Sequence, residues 1–236
     1  PQHLDITERE RSNALHGLLR NADYAVEEHG DAAVTLRALI PPQHGWPFVL
    51  DTTVRYELEP DGIRVTHAVV NRSQRPAPWA VGTHPFLRVG ATPVEELVLT
   101  APASRYVEVD ERLNPLRVSA VTPEVDLRGG RVVGELRLDT AFGGIEHASP
   151  AGGRGDSAWL EAPDGARTTL WQDLDWGWLQ VFTTPSFPRA DGPGVAVAVE
   201  PMTAPPDALN SGTDLVWLEP GGRWQGSWGL RYRGAG

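Results

Sequence analysis

The chain has 236 residues, 40% hydrophobic and 22% charged, which is the composition of a globular protein long enough to bury one substantial core. Its formal charge is -10 and its 21 cations are all scattered arginines, a pattern that excludes a protein tracking nucleic-acid phosphates. The absence of cysteine excludes disulfides and thiolate metal sites, and no apolar run is long enough to span a bilayer.

Reading from the N-terminus, Pro1 is not followed by a signal peptide, so a cytoplasmic location is expected. The first polar cluster is "NALHG", residues 13–17, carrying Asn13 and His16. His44 in "PQHGWPF" is a weak binding candidate, and His67 lies mid-strand, where packing or a surface position is the expected role. "TVRYELE" (53–59) puts Val54, Tyr56 and Leu58 on one face; "GIRVTHAVV" (62–70) does the same with Ile63, Val65 and Val69. The intervening "EPDG" and a second Pro-Asp-Gly at 163–165 predict two hairpins. In "GTHPFL" (82–87), Pro85 restricts His84 to extended geometry and so gives the imidazole a fixed direction.

Further strands are predicted at 131–133, 168–172, 178–183, 195–199, 215–218 and 228–232, and no segment has sustained helical periodicity. The 25 glycines and 21 prolines are spread between these runs, as expected for many short strands joined by loops. "SPAGGRGDS" (149–157) reads as a mobile loop that would tolerate insertions. The prediction is one all-β sandwich domain over residues 1–236. Glu200 follows "VAVAV", apolar on both faces, so its carboxylate should emerge at the end of a buried strand and needs partners there.

The seven histidines contain no His-x-His or His-x-x-x-His pair, so no metal site is predicted. Phosphate-loop and dinucleotide fingerprints and a nucleophile elbow are also missing, and no cofactor is expected. Imidazole and carboxylates remain, with nine tryptophans whose faces suit the CH surface of a sugar ring. Trp79, Trp176 and Trp178 are the ones expected to face a cleft.

"NALHG", "GTHPFL", "LDTAF" (138–142), "WLQVFT" (178–183) and "VEPMTAPPDALNSG" (199–212), in this order, resemble the aldose 1-epimerases, or galactose mutarotases, of the bacterial branch. The match runs from about residue 13 to residue 232. The resemblance implies a galactose mutarotase-like β-supersandwich and cofactor-free interconversion of the anomers of a free sugar. It implies that His84 protonates the ring oxygen and Glu200 takes the proton of the anomeric hydroxyl. His16, Asp139 and Gln180 would hold the sugar, with Asn13 orienting the histidine motif. The family pattern has a further strand region and a sugar-contacting arginine ahead of this point. Only 12 residues precede Asn13 here, and neither Arg9 nor Arg11 stands in a matching context. A sheet lacking those strands, with an unpaired edge that favours association, is therefore expected, as monomer or homodimer.

Ring opening needs a proton delivered to one oxygen and another removed from its neighbour. A glutamate near 4.3 is ionised at pH 7, whereas an imidazole near 6.5 is only about a quarter protonated, so the acid is expected to need tuning by nearby carboxylates. The two groups are expected to face each other across a gap the size of a pyranose. Rival readings are a phosphosugar 1-epimerase using Arg88 and Arg105, a carbohydrate-binding protein without turnover, and a sugar-cleaving lyase or hydrolase. Sugar selectivity is assigned to loops at 141–155 and 184–194.

Overall fold

The computed structural model describes residues 4–190 and 192–236. Strands β1 (Ala25–His29), β2 (Ala33–Ile40), β3 (Leu50–Glu59) and β4 (Gly62–Asn71) form an antiparallel meander. The short strands β5 (Ala77–Trp79), β6 (Phe86–Leu87) and β7 (Val98–Thr100) follow, then the hairpin β8 (Ala103–Val109) and β9 (Pro115–Ala120). Next come β10 (Arg131–Val132), β11 (Asp139–Ile145), β12 (Ala148–Ala151), β13 (Arg154–Glu161) and β14 (Arg167–Asp173). The chain ends with β15 (Trp178–Phe187), β16 (Gly194–Met202), a one-turn helix α1 (Ala208–Ser211), β17 (Val216–Leu218) and β18 (Arg223–Arg233).

Two antiparallel sheets dominate. Ten strands make the larger, ordered β1-β2-β3-β4-β18-β14-β13-β7-β10 with β12 paired to β13; the smaller is β6-β16-β15-β11-β8-β9. Leu50, Val65, Leu99, Leu160 and Leu170 of the first meet Leu179, Val181, Val197 and Val199 of the second in one continuous core. Strand alternation then decides the site: because odd-numbered residues of β15 and β16 point into this core, Gln180, Phe182, Ala198 and Glu200 emerge on the opposite face.

Both Pro-Asp-Gly turns join hairpins as predicted, β3 to β4 and β13 to β14. The segment 149–157, expected to be a mobile loop, instead contains most of β12 and the start of β13, which pair around the Gly152–Gly153 turn. Its polar residues are compatible with a strand because Ser157, fully buried, bonds to His147 Nδ1 at 3.0 Å. Likewise, much of the predicted selectivity loops is strand: β11 and β12 occupy the first, and β15 runs on to Phe187.

Candidate active site

The ladder of the smaller sheet can be read as rows of side chains on its outer face. Gln180 lies opposite Glu200, and Phe182 opposite Ala198; β6 then adds Phe86 beside Ala198, and β11 adds Asp139 beside Phe182. His84 enters this lattice through the backbone. The Thr83 N–H donates to the Pro201 carbonyl at 3.1 Å and the Val199 N–H to the Pro85 carbonyl at 3.3 Å, so the extended residue before proline runs alongside β16. As a result His84 Nε2 stands 3.3 Å from Glu200 Oε1. The pair is side by side, not separated by a pyranose-sized gap as expected. That arrangement suits the chemistry better, because the ring oxygen and the anomeric hydroxyl share one carbon.

His16 completes an imidazole pair, its ring centroid 5.5 Å from that of His84. It sits in the left-handed region, φ 61°, in a segment tied down by Leu15 N–H donating to Thr7 Oγ1 and by a backbone bridge between Glu8 and Asn13. Burial, then the positive charges of Arg20 and His84, hold its proton affinity below the ordinary histidine value, which favours the neutral ring at pH 7.

Glu200 carries the largest electrostatic displacement at the site. Its carboxyl is buried at the strand end with no arginine beside it; desolvation first, and the charge of Asp139 second, push it up to about 8. The sequence-based expectation of an ordinary ionised glutamate is therefore corrected: Glu200 lies well above it. At pH 7 only about a tenth of such a carboxyl is ionised, but the ionised form is a far stronger base than a solvated glutamate.

Asp139 Oδ1 accepts a 2.7 Å hydrogen bond from Gln180 Nε2, which leaves Gln180 Oε1 buried and without a partner. Asn13 Oδ1 and Thr83 Oγ1 are buried and unpartnered too. Asn13 reaches the tip of the β8–β9 hairpin, its Nδ2 3.5 Å from Asn114 Oδ1. Unpartnered buried oxygens are rare in folded proteins.

The tryptophan expectations fail. Trp79 is 4% exposed in the core, 6.1 Å from the Trp224 ring, and Trp176 is fully buried beside Trp224 and His67. Trp178 is on the outer face but covered, leaning over Gly143, with its indole N–H donating to Asp214 Oδ2 at 2.7 Å. The aromatic surface beside His84 is phenyl: Phe86 lies 5.0 Å and Phe182 6.1 Å from its ring, and Phe187 4.5 Å from Phe86. Sequence reasoning missed these three. The signal was present for two of them, since Phe86 and Phe182 lie two residues from His84 and Gln180 in strands and so share their face. His44 pairs with exposed Asp5 at 2.9 Å, while His67 packs, largely covered, beside Trp176 and accepts the Trp228 indole N–H at 3.2 Å. Among the described residues, no three His, Asp or Glu side chains are arranged to hold a metal ion.

An antiparallel β-supersandwich with an imidazole–carboxyl pair on one open sheet face defines the class of protein. The chain belongs to the aldose 1-epimerase family, whose model matches residues 1–231. The uncharacterized protein YihR of Escherichia coli K12 is 33% identical over 223 residues, 92% of this chain and 67% of that protein. Among solved structures, a galactose mutarotase-like protein from Clostridium acetobutylicum superposes with a TM-score of 0.81 at 20% identity, covering 98% of this chain and 72% of that one. The aldose epimerase homologue from C. elegans superposes with a TM-score of 0.75 at 18% identity, over 90% of this chain and 69% of the other.

Proposed function

We propose that the protein is an aldose 1-epimerase acting on a free aldose, with His84 as general acid and Glu200 as general base. The observation that carries this reading is the 3.3 Å contact between His84 and a carboxyl pushed up to about 8 by burial. Glu200 takes the proton of the anomeric hydroxyl while His84 gives one to the ring oxygen. The bond from C1 to the ring oxygen breaks, the aldehyde turns about C1–C2, and the reverse transfers close the ring on its other face. One proton enters the pair as one leaves, so the steps balance within the site and reclosure restores the starting state. Neutral His16, Asp139 and the unpartnered Gln180 carbonyl are placed to take the sugar's hydroxyls, with Asn13 holding the segment that carries His16. Trp79 has no part in this.

Arg88 and Arg105, the groups a phosphosugar epimerase would use, are both exposed, and Arg88 turns its Nε to the Gly90 carbonyl. Among the described residues, no helix is long and apolar enough to cross a membrane. The test is polarimetry on freshly dissolved single anomers. His84→Asn and Glu200→Gln should each fold and lose about 10²- to 10⁴-fold in rate; wild-type rates in either would end the assignment, and tight sugar binding with no acceleration would identify a binding protein.

A further inference from the structure

Three of the chain's five phenylalanines gather at one side of the candidate site. Phe86 is 39% exposed, an unusual position for a phenyl ring flanked by two others. The wall has a defined place in the lattice: Phe86 and Phe182 stand on either side of Ala198, one row along the sheet from the Glu200–Gln180 row, and both pack against the His84 ring. The rings are tilted or edge-on to one another, with interplanar angles of 51° and 78°, so they form a notch and not a flat stacking platform. The floor of the notch is the methyl group of Ala198, itself buried.

We propose that this phenyl wall receives the C5 end of the pyranose and makes the enzyme prefer aldoses whose C5 substituent is apolar, a 6-deoxy sugar over its hydroxymethyl counterpart. The inference rests on the epimerase reading and follows from its geometry. If His84 serves the ring oxygen and Glu200 the anomeric oxygen, C1 lies toward Glu200 and C5, the other neighbour of the ring oxygen, lies on the remaining side of His84. That side is where Phe86 and Phe182 pack. The polar groups that could satisfy sugar hydroxyls, Asp139 and Gln180, are on β11 and β15, across β16 from Phe86. Over the Ala198 floor, between two phenyl rings, a hydroxymethyl group would lose water, whereas a methyl group gains contact. Arg88, two residues on from Phe86, turns its Nε to the Gly90 carbonyl.

The experiment compares D-galactose, 6-deoxy-D-galactose and D-galacturonate, and in parallel D-glucose and 6-deoxy-D-glucose, each started as one anomer. The expected result is a kcat/KM about tenfold higher for each 6-deoxy sugar than for its parent. In both Phe86→Ala and Phe187→Ala that ratio should shrink to within about twofold, through loss of the 6-deoxy rate. Equal or reversed ratios, a galacturonate rate matching the 6-deoxy sugar, or a preference that survives both substitutions would overturn the proposal. In all three outcomes the sugars are still accelerated above buffer, so the epimerase reading stands; acceleration of none would remove both.

Discussion

Asp51 and Glu200 are both shielded carboxyl groups, with side chains 8% and 12% exposed, yet their proton affinities move in opposite directions. Asp51, on the larger sheet, accepts two hydrogen bonds from Arg37 at 2.7 and 2.8 Å and two more from Arg72, and these bonds hold it below the usual carboxylate range. Glu200 has no guanidinium within reach among the described residues; beside the His84 ring, burial first and the charge of Asp139 second move it up to about 8. Where a buried acid only ties strands together, the chain surrounds it with counter-charge; where it can do chemistry, the counter-charge is withheld.

Exchanging each acid for its amide separates the two cases. Glu200→Gln is expected to cost about 10²- to 10⁴-fold in mutarotation rate, read by polarimetry, whereas Asp51→Asn should leave that rate unchanged. The same Glu200→Gln change should stabilise the fold. A group whose folded value lies above its unfolded one contributes stability that is full below about 4.5 and is lost as pH rises toward 8. Urea unfolding should therefore show the variant gaining on wild type across that window, to about 4 kcal/mol at pH 8 and above.

His67 offers the converse on the larger sheet. It is buried neutral beside Trp176 and Trp228, and desolvation lowers it to about 4. The unfolded chain binds its proton near 6.5 and the folded one does not, so stability is full above 6.5 and falls as pH drops toward 4. The loss expected from this group is about 3 kcal/mol, and His67→Gln should lack that part of the pH dependence in urea unfolding. The smallest effect is that of Asp51→Asn, about 1–3 kcal/mol at pH 7 by thermal or chemical unfolding, because Arg37 and Arg72 are half-exposed and regain water when released.

These differences mark what could be read before any coordinates. The strand ending in Glu200 was legible because "VAVAV" is apolar on both faces, and the β3–β4 hairpin because Pro-Asp-Gly separates two alternating runs. His84, His16, Asp139, Gln180 and Glu200 were singled out through motif order, and the fold brings them close together. Asn13 holds the approach to it instead. What escaped was whatever depends on neighbours distant in sequence. Trp79 reads as a sugar platform by residue type, but Trp224, 145 positions on, covers it. β13 begins with Gly155, Asp156 and Ser157, a loop-like composition, and is a strand because His147 and β14 satisfy it. The displacement of Glu200 is likewise a property of its surroundings, the burial of its strand end and the charge of Asp139.

The dependence of kcat/KM on pH, followed by NMR on a single anomer, tests the acid–base pair most directly, because it reports the protonation states of the free enzyme. With a base at about 8 coupled to an imidazole acid, the rate should have fallen at least about tenfold between pH 7.5 and pH 5. A rate that stays level down to pH 5 would mean that Glu200 ionises like any solvated glutamate, and would contradict the account.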